Sequence, residues 1–333
     1  MRAKEYDSLR QGAKYLKLKE IYDLAVRIGI ENDPRSKEAV LKLLEKERKG
    51  FEELKEDEKK EFDQDRLFNP YGDTRLLYGE PDHEVKRVIS GIDMETGEVL
   101  LAEMFSRRGR QVDLIIAHHP EGKAMAALYQ VMKLQEDVLA EFGVPINVAE
   151  GIMASRINEV KRALMPLNHN RAVDAARILG IPLMCVHTAA DNLVQNYMQK
   201  MIDKEKPETL GELVKAIKAV PEYAEAVKYN AGPAIVIGNK EKRAGKIMVD
   251  MTGGTSGSED AYAKLSVAGV GTLVVMHIGE KHRKEAEKNH INVIIAGHMA
   301  SDSLGMNLFL DELVREGVEV IPCSGLIRYN RKE

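Results

Sequence analysis

From Glu84 onward the chain alternates short apolar runs with segments of helical periodicity, and this alternation constrains the fold more than any other feature of the sequence. The candidate strands are Val85 to Ile92, Val112 to Ala117, Pro182 to Val186, Ala234 to Ile237, Ile247 to Val249, Thr272 to Met276, Val293 to Ala296 and Val318 to Ile321. Helices fit between them. Lys123 to Phe142 places Met125, Leu128, Met132, Leu139 and Phe142 on about one face, and Gly143 is suited to end it in a left-handed conformation. Strands joined by covering helices predict an α/β fold.

The residues before this region read differently. Tyr15, Leu18, Tyr22, Ala25 and Ile28 recur three and four apart and predict an amphipathic helix. Asp33 and Pro34 suit the cap and first turn of a second one, continued by Val40, Leu43, Leu44, Phe51 and Leu54. Asn69-Pro70-Tyr71-Gly72 marks a turn. The expected organisation is a peripheral helical extension over residues 1–80, suited to docking or oligomerisation, and an α/β core over residues 81–333. An internal echo, Ile115-Ile116-Ala117-His118-His119 against Ile294-Ile295-Ala296-Gly297-His298, suggests two lobes of similar build within that core.

The echo also locates the chemistry. Ligands of open α/β sheets collect beyond the carboxyl ends of strands. Three candidate strands end in histidine there: Val112 to Ala117 runs into His118-His119-Pro120, Pro182 to Val186 into His187-Thr188-Ala189-Ala190-Asp191, and Val293 to Ala296 into Gly297-His298-Met299-Ala300-Ser301-Asp302. His-x-x-x-Asp puts both side chains on one face if the segment turns helical. The chain has nine histidines but only two cysteines, Cys185 and Cys323, with no CxxC. Neither a thiolate zinc ribbon nor a redox pair is therefore supported, a disulfide framework is excluded, and any metal must be held by imidazole and carboxylate. His118, His119, Asp191, His298 and Asp302 make five candidate ligands for two divalent ions of zinc, iron, manganese or cobalt, with a carboxylate able to bridge them. Four metal charges against two aspartates leave a site that favours anionic substrates, phosphate esters in particular. His187 is suited to hold Asp191 or the metal shell by hydrogen bond. His83, His282 and His290 lie in charged surroundings and read as solvated.

Other chemistries lack their motifs. The turn Gly253-Gly254-Thr255-Ser256-Gly257 is suited to present N–H groups to a phosphate or to serve as a tight strand-to-helix turn, but it lacks the Gly-Lys-Ser/Thr of a P-loop. No HExxH, GxSxG or deaminase zinc motif is present. A formal net charge of −4 gives no overall basic field for nucleic acid. No apolar run approaches the roughly 18 residues needed to span a bilayer, and no signal core opens the sequence, so a cytoplasmic protein is expected.

Over about residues 84–327 the sequence resembles the dinuclear-metal-centre proteins related to the NGG-interacting factor, the type 2 GTP cyclohydrolase homologues. Val85 to Asp93, Asp113 to Pro120, His187 to Asp191, the turn at Gly253 to Gly257, His277-Ile278-Gly279-Glu280 and Gly297 to Asp302 carry the resemblance. It implies two interlocked α/β lobes of similar topology, a ring-shaped homohexamer and a two-metal site in a cleft between the lobes. His118 and His119 match the family's paired histidines, Asp191 its central aspartate and His298 its late histidine. Asp302 stands where the family has glutamate. Glu280 matches a family Gly-Glu pair and becomes the candidate general base or metal-shell partner. The helical extension and a longer stretch between His119 and His187, with Arg156, Arg162, His169 and Arg171, depart from the pattern. The expected function is a metal-dependent hydrolase of a phosphate-bearing or nucleotide-like substrate. The alternative is a non-catalytic metal-binding regulatory or scaffold protein.

Overall fold

The computed structural model describes residues 15–331; the first fourteen residues of the expected extension lie outside them. Two mixed sheets form the frame. The first has the order β11-β4-β5-β6-β2, built from β2 (Arg75–Tyr78), β4 (Arg87–Gly91), β5 (Leu114–Ala117), β6 (Leu183–Cys185) and β11 (Glu319–Pro322). The second has the order β7-β10-β9-β8, built from β7 (Ala234–Ile237), β8 (Lys246–Asp250), β9 (Val270–Val275) and β10 (Asn292–Ile295). Each is parallel except for one antiparallel edge strand, β2 on β6 and β7 on β10. Two short strands, β1 (Leu16–Lys17) and β3 (Glu84–Val85), form a separate antiparallel pair.

Buried strands of parallel sheets are apolar on both faces, and here they are: Leu114, Ile115, Ile116 and Ala117 of β5 are all fully buried. The expected helix from Lys123 to Phe142 is broken into Gly122–Val131 and Leu134–Glu141. No helix among the described residues is long and apolar enough to cross a membrane.

Two long helices join the lobes. Thr188–Glu205 follows β6 of the first sheet, and His298–Arg315 follows β10 of the second. Each divides its apolar residues between two cores: Ala190 and Leu193 with Phe309 and Leu310 pack against the first sheet, while Val194 and Met198 with Ala300 and Leu304 pack against the second. The helices meet at Gly305, where an added Cβ would lie 2.5 Å from the Ala190 carbonyl oxygen. Only a residue without a side chain permits that approach. The lobes are interlocked through this crossing, and it fixes Asp191 and Asp302 against each other. The far end of the second helix is tied down by Asn307, whose Nδ2 donates to Glu222 (2.7 Å), and Glu222 in turn receives both outer nitrogens of Arg331 (2.6 Å each).

Among the described residues before position 81, the first helix is not peripheral. Helix Leu18–Glu31 buries Leu18, Ile21, Tyr22 and Ala25 in the first lobe's core, where each large apolar side chain contributes about 1.5–3 kcal/mol. Amphipathicity shows that a face is covered but not by what, and here the lobe itself covers it. Arg75, fully buried at the start of β2, is held by Asp63 at 2.9 Å. The next helix, Lys37–Glu53, is capped by Ser36, whose Oγ accepts from Ala39 N, rather than by Asp33. Asp33 instead receives Arg35 and the Tyr71 hydroxyl.

Candidate metal centre

Both helices that join the lobes begin at the carboxyl ends of their strands, so their first turns face one cleft. His187 precedes the first helix and Asp191 lies one turn inside it; His298 opens the second and Asp302 lies one turn inside that. His118 and His119 arrive from the end of β5. Helix N-termini carry partial positive charge, which favours carboxylates at these positions.

The ligand atoms form groups that share residues. His118, Asp191 and Asp302 make one close group, His119, His298 and Asp302 a second, and His118, His119 and His187 a third. Asp302 is fully buried and faces two ways: its Oδ1 lies 3.5 Å from His118 Nε2, and its Oδ2 lies 3.5 Å from both His119 Nε2 and His298 Nε2. Asp191 Oδ1 is also 3.5 Å from His118 Nε2. These separations are too long for hydrogen bonds. They match the spacing of atoms bound to one tetrahedral ion, which lie about 3.4 Å apart when each is about 2.1 Å from the metal.

The protonation pattern supports the same fit. His118 Nδ1 is 3.0 Å from the Val186 carbonyl, which can only accept, so Nδ1 carries the hydrogen and Nε2 of the neutral ring is an acceptor. That acceptor faces Asp191 Oδ1 and Asp302 Oδ1. All three atoms, and Asp302 Oδ2, are buried without a hydrogen-bond partner. Orphaned buried acceptors are costly, and several around one point call for a cation.

His187 and His119 are oriented in the same way. His187 Nδ1 donates to Asp73 Oδ2 (2.7 Å), which also accepts from the Thr188 hydroxyl (2.6 Å), and His119 Nδ1 donates to Asp93 Oδ1 (2.7 Å). Carboxylates behind metal-binding imidazoles set ring orientation and basicity. His187 therefore aims Nε2 into the cluster, 3.9 Å from Asp191 Oδ2, as a potential ligand rather than only as an outer support. Asp73 and Asp93 were not singled out from sequence, and Asp73 lies inside the segment expected to be an extension.

Charge is unevenly distributed. Burial pushes the Asp191 carboxyl well above its usual range. Burial acts in the same sense on Asp302, but the imidazoles of His118 and His119 overcome it and hold that carboxyl far below the usual range. Burial opposes protonation of His119, yet Asp302 and Asp93 raise it to about 9. Burial lowers His298. In the metal-free protein His119 therefore carries the proton that an ion would replace.

Glu280 is not brought to the cluster. It opens the helix Glu280–Lys288 with its carboxylate on Arg283 (2.8 Å), largely exposed, and it does not line the cleft. Its neighbours His277 and Gly279 do, with the His277 ring 4.9 Å from that of His298. His282, expected on the solvated surface, also lines the cleft, whereas His290 is exposed. Of the long stretch after His119, Arg156 reaches the site's surroundings by donating to Ser256 O (3.0 Å).

No family model and no curated protein matches the sequence. Among solved structures, an NIF3 superfamily protein from Sphaerobacter thermophilus superposes with a TM-score of 0.73 at 24% identity, over 94% of this chain and 100% of that one. The chain has the NIF3 fold. Reduced HcgD from Methanocaldococcus jannaschii matches at TM-score 0.48 and 16% identity over 74% of this chain and 87% of its own. A Bacillus cereus protein related to NIF3 matches at 0.38 and 11%, over 74% and 90%. The NIF3 fold is the one the sequence resemblance implied. The 6% of this chain left outside the Sphaerobacter match is about 20 of 333 residues, fewer than the 80 assigned to the extension, so most of that segment belongs to this version of the NIF3 fold.

Proposed function

We propose that the chain is a cytoplasmic metal-dependent hydrolase with two divalent transition-metal ions, acting on a phosphate-bearing or nucleotide-like substrate. His118, His187, Asp191 and Asp302 Oδ1 would hold one ion; His119, His298 and Asp302 Oδ2 would hold the other. The observation that supports this reading is the meeting of His118 Nε2, Asp191 Oδ1 and Asp302 Oδ1, three buried atoms without a hydrogen-bond partner. Zinc, iron, manganese and cobalt all suit such a donor set.

Bound divalent ions supply Lewis acidity toward a phosphoryl oxygen and lower the pKa of water toward neutrality. The chain's own contribution is positional. Asp73 and Asp93 fix the rings of His187 and His119, and the Gly305 crossing fixes Asp302 against Asp191. His119 and His298 have side chains 26% and 39% exposed, against 1% for His118, so a substrate reaches the cluster from their side. The cleft there is open to solvent and is lined by His187, Asp191, His298 and Asp302 together with the glycine turn. Self-association into a hexameric ring, implied by the family resemblance, belongs to the same proposal.

Metal analysis after reconstitution tests the reading. About two ions per chain are expected in the wild type, and nearly complete loss in Asp302→Ala, together with loss of turnover across phosphomonoesters, phosphodiesters and nucleotides. A wild type that takes up no transition metal would overturn it. Metal uptake without turnover on any of these substrates would leave the regulatory or scaffold role in its place.

A further inference from the structure

The glycine turn after β8 forms a wall of the cleft: Gly254, Thr255, Ser256 and Gly257 line the same space as Asp191 and Asp302. Its carbonyls are held from the other side. Gln135 Nε2 donates to Gly253 O and Thr255 O (2.7 Å each), and Arg156 Nε donates to Ser256 O (3.0 Å). Gln135 is buried, and neither it nor Arg156 lines the cleft. The backbone lies so close to this support that only glycine fits. A Cβ on Gly253 would meet Gln135 Cγ at 2.6 Å and one on Gly254 would meet Val131 Cγ2 at 2.8 Å, and both residues have positive φ, 97° and 86°.

In a trans peptide the carbonyl of one residue and the N–H of the next point in opposite directions. Three carbonyls drawn away from the cleft therefore turn the N–H groups of Gly254, Ser256 and Gly257 toward it. None of these three N–H groups has an acceptor among the described residues. Across the same cleft, Asp191 Oδ1 and both carboxylate oxygens of Asp302 are buried without a hydrogen-bond partner. One wall thus offers backbone donors and the other offers buried groups suited to a cation. Successive N–H groups held in this way make anion-binding concavities. Neither lysine nor arginine lines the cleft, and Asp250 does, so the turn selects its ligand by hydrogen bonds rather than by net charge.

We propose that the glycine turn is a second anion-binding subsite: its N–H groups receive the oxygens of one phosphate while another phosphate of the same substrate lies at the histidine and aspartate cluster. The proposal rests on the reading of that cluster as a phosphate-binding metal centre. It narrows the substrate class to molecules that carry two phosphate groups. Gln135 and Arg156 are positioning residues that act through the carbonyls of the turn. Charge-assisted hydrogen bonds from backbone N–H to phosphate set the size of the effect at roughly tenfold or more in affinity.

Calorimetry on the metal-loaded full chain tests it, with α,ω-alkanediol bisphosphates of increasing chain length compared with alkyl phosphates of the same length. At one length the bisphosphate is expected to bind roughly tenfold tighter or more than its alkyl counterpart. Gln135→Met removes the donors that hold Gly253 and Thr255, and Ser256→Pro removes one N–H of the wall. Each, checked for folding by circular dichroism and for metal content, is expected to abolish the preference and leave alkyl phosphate binding unchanged. Hydrogen exchange over residues 253–258 of the wild type needs no variant: the preferred bisphosphate is expected to slow it and the alkyl phosphate to leave it unchanged. The proposal is overturned if no length shows the preference, if a folded, metal-loaded variant keeps it, or if exchange at the turn does not respond. Failure of the metal reading looks different: alkyl phosphates would then bind equally with and without chelator, or not at all, while inorganic phosphate would still slow exchange at the turn of the chelator-treated chain.

Discussion

The two ends of the histidine and aspartate cluster are built from the same parts and differ in what surrounds them. At the closed end, His118 and Asp191 have side chains only 1% and 7% exposed, and the carboxylate behind His187, that of Asp73, is fully buried. At the open end, the side chains of His119 and His298 are 26% and 39% exposed, and the carboxylate behind His119, that of Asp93, is 55% exposed. Asp302 is common to both. A buried ligand set excludes water and retains its ion, while an exposed one leaves coordination positions for a substrate. The closed end is therefore expected to act as a structural anchor and the open end as the reacting side.

Ligand deletions break this comparison most directly. His118→Ala removes the imidazole that Asp191 and Asp302 share at the closed end, so it is expected to lower metal affinity there by well over 100-fold and to lower the melting temperature. His298→Ala, at a partly exposed position, is expected to reduce occupancy of one ion and turnover while leaving the melting temperature close to wild type. Metal stoichiometry and thermal unfolding read both. Equal losses of metal and stability in the two variants would remove the distinction between the ends.

The carboxylates behind the histidines sharpen it. Asp73→Asn replaces a buried acceptor shared by His187 and Thr188, and Asp93→Asn replaces an exposed one that serves His119. Each is expected to weaken metal binding by about 10- to 100-fold, with Asp73→Asn at the upper end because its partners have no water to turn to. Competition titrations with a chelator measure this. A larger effect for Asp93→Asn would reverse the assignment of anchor and reacting side.

The core strands and the histidines that end them were legible because a parallel strand must be an apolar run and its carboxyl end must meet the cleft. Asp73 and Asp93 were not, because a single carboxylate in a loop has no period. Asp73 finds His187 across 114 residues of chain, a distance only the fold closes. β2 was missed for a related reason: Arg75-Leu76-Leu77-Tyr78 is a four-residue edge strand adjoining a helical segment, too short to show alternation. The first helix was visible as a stripe, but its burial against the lobe depended on a partner surface that periodicity does not reveal. His282 lies among charged residues in sequence, yet the helix that carries it turns this one side chain toward the cleft.

Glu280 supplies the smallest expected effect. The sequence placed it after a strand and beside a glycine, as a catalytic carboxylate would be. The same sequence also put Arg283 three residues on, within reach on a helix, and the structure shows that pairing used twice, Oε2 to Nε at 2.8 Å and Oε1 to Nη2 at 3.1 Å. Arg283 holds the Glu280 carboxyl below its usual range, which leaves it a poor base. An exposed pair of this kind contributes little to stability. Glu280→Gln is therefore expected to keep the wild-type metal content and melting temperature, with turnover changed by less than about twofold. A loss of turnover by two orders of magnitude at unchanged metal content, the scale of a missing general base, would show that Glu280 reaches the open end during reaction and that the contrast between the two ends includes a proton carrier from this helix.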